Sequence, residues 1–438
     1  MSLKKLGVGF IGAAIAVTAV AISKAEAEEI LYLPNFVYRS GPYAPNGIPF
    51  ANGARDFVEM INKRDGGVQG VKLVYEECET GYDTKLIVEC YERLKNKNGG
   101  VRFVHPNSTG ATYQLIPKSG VDKVVVHSMG YGMTAAADGR VFPWVFNFPT
   151  TYWSQASAFV RHVGAQEGGM DNLKGKKIAL IYHNSPYGKE PIPTLRVLAE
   201  KHGYELLELA VDHPGQEQKA TWLQIRRNRP DWIFLWGWGV MNQVAIKEAA
   251  AIRYPMDHFI GVWWSGTESD VVPTGAAATG YKAGTFHAPG HDTKVHEDIL
   301  KHVYDGDLAE AKKNNFGEVL YNRSIVGFTY GLEAINIAMN EYGKGKVPTK
   351  EQVRWGFENL SLSEERLAEL GLAGFTRPLK VSCADHEGNG PVLIQQWDGS
   401  AWQVVTDWIP PIREVVRPMV EQAAAAFAKE NNIEPRSC

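Results

Sequence analysis

The stretch Asp231-Trp232-Ile233-Phe234-Leu235-Trp236-Gly237-Trp238-Gly239 constrains the fold more than any other part of the chain. An acid at a turn leads into an apolar run without polar alternation. Such a run marks a strand buried on both faces, as in a parallel sheet covered by helices. A helical segment follows at 240–252. In open α/β sheets, ligands sit beyond the C-terminal ends of the strands. Tryptophans at that end serve either as core or as a stacking platform. The next strand ends in the same way, in Trp263-Trp264-Ser265-Gly266. Trp236, Trp238, Trp263 and Trp264 are therefore candidate wall residues. Strand alternation lets only one of Trp263 and Trp264 face a crevice easily, and does not say which.

The same rhythm runs through much of the chain. Strands are expected at 29–38, 71–76, 101–104 and 123–127, with helices at 47–64 and 83–95. The turn after 123–127 carries Ser128-Met129-Gly130-Tyr131-Gly132. The segment 145–150 reads as a crossing. A second set then begins, with strands at 177–182, 205–211, 232–236 and 259–263. Two consecutive α/β units with a cleft between them suit a hinged binder. A strand at 284–287 is expected to return to the first unit. Asp398-Gly399-Ser400 is a hairpin signal, and Pro410-Pro411 opens a tail with an Ala-rich helix around 423–428.

The N-terminus has the organisation of a secretory leader: Lys4 and Lys5, an apolar run at 6–22, and the small-x-small site Ala25-Glu26-Ala27. The apolar run is short for a membrane span, so cleavage near Ala27 and a periplasmic mature protein are expected. A net charge of -3 gives no basic footprint for nucleic acid. Four cysteines in an exported chain allow two disulfides in three pairings. Cys78–Cys90 would close a short strand-to-helix loop, and Cys383–Cys438 would pin the tail. Their spacing does not resemble a zinc site, and no cofactor or metal is expected. His105, His127 and His183 each end a strand but lack a positioned partner, so they read as wall residues and not as catalysts.

The order of Ser40-Gly41-Pro42-Tyr43 with Gly47, the loop 105–112, Ser185-Pro186-Tyr187-Gly188, Asp231 with its apolar run, Gly261, Tyr330-Gly331 and the Asp398-Gly399 hairpin resembles the type I periplasmic binding proteins of the leucine/isoleucine/valine-binding family. The resemblance covers roughly residues 29–408. It implies two doubly wound α/β lobes joined by three crossings: a signal peptide at 1–27, lobe one at 28–148 and 281–372, lobe two at 149–280 and 373–409, and a tail at 410–438. It implies capture of a small molecule for the permease and ATPase subunits of an ABC importer, with no enzymatic step. Ligand contacts are implied at Tyr43, Tyr187, Trp236 and Trp238. A ligand carboxylate would lie at Asn107 and Ser108 and at the backbone of Gly130 and Tyr131. One departure stands out. Amino-acid binders of the family place an acid just after the position of Gly261 to hold the ligand's ammonium; here Val262-Trp263-Trp264 follows, with Glu268 a possible substitute. An apolar ring offsets the desolvation of an ammonium poorly. The pocket is therefore expected to take a carboxylate with an apolar or aromatic body, with a branched-chain amino acid or short amide as the alternative ligand and ligand sensing as the alternative role.

Overall fold

The computed structural model describes residues 1–2 and 29–438. The expected leader therefore lies, but for its first two residues, outside the described residues.

In the first lobe, β1 (Ile30–Val37) pairs in parallel with β2 (Lys72–Glu79). Strands β3 (Phe103–Val104), β4 (Val125–His127) and β5 (Val145–Phe146) form a second parallel set, with β3 beside β1. One apolar layer joins the two sets. Tyr32 and Phe36 pack with Val104, Val126 and Val145, and with Ile87, Tyr91 and Leu94 of the helix Thr84–Leu94. That helix begins where the sequence places it, because the Asp83 carboxylate accepts from the Leu86 N–H.

The second lobe is a seven-stranded sheet. Strands β6 (Lys177–His183), β7 (Glu205–Val211), β8 (Trp232–Trp236), β9 (Phe259–Gly261) and β10 (Lys282–Thr285) run parallel. After a short ribbon of β11 (Ser361–Leu362) and β12 (Leu379–Lys380), strands β13 (Leu393–Trp397) and β14 (Trp402–Val404) complete the sheet antiparallel, in the order β14-β13-β10-β9-β8-β6-β7. All five β8 residues are buried, which explains the unbroken apolar run. Asp231 accepts from the Lys177 N–H at 2.7 Å and ties the start of β8 to β6.

One expectation is corrected. The strand expected at 284–287 to return to lobe one is β10, and it pairs with β9 and β13 inside the second sheet. The chain crosses back only after Thr285, and the helix Lys294–Val303 then packs on the helix Ala44–Asp65 of lobe one. The short stretch 282–287 fitted either lobe, and only its sheet partners decide.

Both expected disulfides are present, Cys78–Cys90 and Cys383–Cys438. The tail packs on its own chain. Its helix Arg413–Glu430 lies across the back of the hinge. Val416 and Val420 meet Ala137 of lobe one and Trp153 of lobe two, while Ala424 and Ala428 join the lobe-one core. Arg413 and Arg417 pair with Asp385 in the third crossing.

Candidate functional site

A cavity of about 330 Å³ lies where the two lobes meet. Lobe one contributes Tyr38, Phe50, Tyr82, Asn107, Ser108, Thr109 and Tyr131. Lobe two contributes Tyr152, Tyr187, Trp238 and Trp264. Among the described residues, no Asp, Glu, Lys or Arg lines it.

The polar end is built at the start of the helix Thr109–Asp122, whose N-cap is Ser108. The hydroxyls there share one arrangement. Ser108 Oγ accepts from the Ala111 N–H at 3.4 Å, Thr109 Oγ1 from the Gly132 N–H at 3.2 Å, and Tyr131 Oη from the Asn107 N–H at 2.8 Å. Each hydroxyl thus has one backbone donor on its oxygen; the Ser108 and Thr109 hydroxyls also face the phenol oxygens of Tyr82 and Tyr152, and the Tyr131 proton remains to be offered. The helix N-terminus adds positive potential and unpaired N–H groups. The indole N–H groups of Trp238 and Trp264 are buried and have no partner among the described residues. The cavity therefore offers many donors. Asn107 Oδ1 is a buried lining acceptor without a partner among the described residues.

Tryptophan positions divide into two layers. Trp238 and Trp264 line the cavity, edge to face at 5.9 Å and 88°. Trp236 and Trp263 are fully buried behind them. Trp236 packs against Phe159 and Tyr152, and Trp263 stacks on Tyr152 at 5.5 Å and 17°. They support the wall without lining it. Gly130 lies behind the wall too: a Cβ there would meet Trp263 at 3.1 Å.

Several groups expected to meet a carboxylate are already engaged. The Gly130 N–H donates to Asn147 O at 2.8 Å, and the Tyr131 N–H to Ser128 O at 2.6 Å. The Asn107 side-chain amide donates to Asn35 Oδ1 and Phe36 O at 2.9 and 3.0 Å. Tyr187 donates to Gly237 O at 2.8 Å while its ring lines the cavity. Glu268 accepts from the Val319 N–H at 2.9 Å and from the Thr267 hydroxyl at 3.3 Å, outside the cavity. Burial, helped by the neighbouring Glu318, pushes its carboxyl up to about 8.

The mouth of the cavity is spanned by contacts between the lobes. Tyr43 does not line the inner cavity; its hydroxyl meets His183 Nε2 at 3.2 Å and His213 Nδ1, both from lobe two. Ser185 Oγ lies 2.8 Å from His183 Nδ1 and completes the chain. A second bridge joins the buried Glu190 to Tyr113 and to the Thr134 hydroxyl at 2.7 Å. Sequence reading missed Tyr38, Phe50, Tyr82, Thr109 and Tyr152. Tyr82 stands at φ +66° in the turn after β2, a backbone conformation that sequence pattern does not disclose.

Two α/β lobes that meet over a small donor-lined cavity, with polar bridges at its mouth, define a two-lobed solute-binding protein. The family model for periplasmic binding proteins matches residues 32–401, and the chain belongs to that family. A Leu/Ile/Val-binding protein homolog 3 of Brucella melitensis biotype 1 is 26% identical over 182 residues, which is 41% of this chain and 46% of that relative. The match thus spans about half the length of the curated relative. A crystal structure described as an ABC transporter permease from the Pseudomonas fluorescens group is 43% identical, covers 94% of this chain and 100% of its own, and has a TM-score of 0.87. The solute-binding protein RPA0668 of R. palustris, solved with benzoate, shares the fold at 15% identity and a TM-score of 0.68, covering 87% of this chain and 97% of its own.

Proposed function

We propose that this protein is the periplasmic substrate-binding component of an ABC importer and captures a small carboxylate with an apolar or aromatic body. Ser108, Thr109, Tyr131 and the helix N-terminus hold the carboxylate. Trp238, Trp264, Phe50 and Tyr38 enclose the body. The observation that carries the reading is a cavity lined by hydroxyls, a helix N-terminus and unpartnered indole N–H groups, with no acidic lining residue among those described. An anion satisfies those donors. An α-ammonium would be desolvated with no carboxylate beside it, which disfavours a branched-chain amino acid. Asn107 Oδ1 leaves room for one donor on the ligand, such as a ring hydroxyl. The closed lobes, bridged at Tyr43 and Glu190, are the form presented to the permease and ATPase partners; no bond is made or broken in the ligand.

A thermal-shift panel on the mature protein tests this. Benzoate, cinnamate and octanoate are compared with leucine, isoleucine, valine and short amides. A ligand at about 100 times its Kd stabilises the protein by about 2.7 kcal/mol, which moves the midpoint by a few degrees. Shifts with the acids and none with the amino acids are expected. Shifts with leucine-type ligands alone would overturn the carboxylate reading.

A further inference from the structure

The helix Val319–Tyr342 carries a single cationic side chain, Arg323, which is fully buried. Its guanidinium carbon lies 4.9 Å from the ring centre of Trp264 and 4.6 Å from that of Phe286. Its donors go to Trp263 O, to Thr285 Oγ1 at 3.4 Å and to His287 Nε2 at 3.3 Å. All three are uncharged partners when His287 is neutral, and burial together with Arg323 itself pushes the His287 imidazole well below its ordinary range. Among the described residues, no carboxylate pairs with Arg323, whereas the other arginines that reach an acid do so on the surface or at the hinge. Glu268 acts on it only through space. Burial lowers the guanidinium to about 9, which leaves it charged at neutral pH.

A buried cation without a counter-ion is unfavourable unless something else supplies the negative charge. Here the supply has an address. Trp264 is both the ring under the guanidinium and a wall of the cavity. We propose that Arg323 is the charge-selecting residue of this site: one aromatic ring away from the cavity, its uncompensated guanidinium favours anionic ligands over neutral ligands of the same shape. The proposal rests on the carboxylate reading of the cavity and adds the residue that enforces it. Arg323 touches the ligand through no atom. It is a positioning residue, acting by its field and by holding Trp264 and the Trp263 carbonyl.

The expected size follows from distance. The 4.9 Å to the ring centre plus a ring contact of about 3.5 Å gives on the order of 8 Å as the shortest separation, and a carboxylate held at Ser108 and Tyr131 stands farther off than that. At the effective dielectric of about 20 that suits protein sites, this shortest separation sets an upper limit of about 30-fold in Kd.

The experiment compares benzoate with benzamide, and octanoate with octanamide, by calorimetry on the full chain and on Arg323→Met and Arg323→Lys. Wild type should prefer each acid. Arg323→Met should lose several-fold, and at most about 30-fold, for the acids and little for the amides, and Arg323→Lys should keep most of the preference. An acid-to-amide ratio that is the same in wild type and Arg323→Met overturns the proposal. If Arg323→Met does not fold, Arg323→Gln, which retains donors for Trp263 O and Thr285, carries the same comparison. Wild type alone also decides against the proposal if acid and amide bind equally. Failure of the carboxylate reading looks different, since then neither acid binds at all.

Discussion

Lowering the pH from 8 to 5.5 should weaken ligand binding by up to about tenfold through His183. With the lobes closed, burial pulls this imidazole from 6.5 down to about 4; the charge of His213 adds to the shift and Asp212 opposes it. Opening the cleft removes Tyr43 and returns the ring toward water, with His213 and Asp212 of the same lobe still beside it, so its ordinary value is the upper limit for the open form. A base with the lower pKa in the closed form makes closure release protons as the pH falls. The contribution to closure is complete above about 6.5 and is lost between 6.5 and 4. At pH 5.5, one unit below that upper limit, the loss is up to about tenfold, or ~1.4 kcal/mol. Glu190 works in the opposite sense, because burial raises its carboxyl in the closed form. His183→Gln separates the two, since it removes only the histidine contribution. The assay is calorimetric titration of benzoate, still ionised at pH 5.5, into wild type and His183→Gln at both pH values. The expected outcome is a ratio of affinities larger in wild type, by up to about tenfold. Identical ratios in the two proteins would refute the reasoning and place His183 outside the closure equilibrium.

Three further outcomes are expected. Trp264→Ala should raise the Kd for acids by about 10- to 100-fold with a modest change in melting point, whereas Trp263→Ala should act first on stability, by about 3–5 kcal/mol; the reverse pattern would exchange their places in the wall. Asn107→Leu should destabilise the fold by about 2 kcal/mol, through loss of the bonds to Asn35 and Phe36, and weaken acids and amides alike. A loss confined to acids, measured by calorimetry, would make Asn107 a reader of the anion after all. Replacing Cys383 and Cys438 by serine opens a loop of sequence separation 55 and should lower stability in denaturant by up to about 4 kcal/mol, against up to about 3 for Cys78 with Cys90 at separation 12. Equal losses would show that unfolded-chain entropy does not govern these bridges.

What the sequence made legible was set by burial on two faces. The run 232–236 reads as a central strand because both faces of β8 are covered, and the family order of loops followed from the strand ends. The fine placement of aromatics was not legible. Trp236 is the last residue of β8 and stays in the core, while Trp238, two glycine-linked steps on, enters the cavity. Trp263 and Trp264 follow the end of β9 at Gly261, so alternation no longer applies to them. Arg323 was invisible for a similar reason. A lone arginine near the start of a long helix looks solvated until the packing of both faces is known. The backbone donors of Gly130 and Tyr131 looked free because their partners, Asn147 and Ser128, are fixed by the turn geometry and not by any sequence pattern.

The tail helix has a consequence for the order in which the molecule is assembled. Each lobe needs chain from both sides of the other: the helix Val319–Tyr342 completes lobe one, and β13 and β14 complete lobe two. The segment that covers the hinge comes after all of them. Until it arrives, Ala137 and Trp153 keep apolar surface open to water and Asp385 lacks Arg413 and Arg417. Synthesis therefore delivers two lobes first and the helix that packs across both of them last. A chain cut before Arg413 would be a folded pair of lobes with an unguarded hinge, stickier than the whole protein and more readily recognised by proteases or chaperones as unfinished.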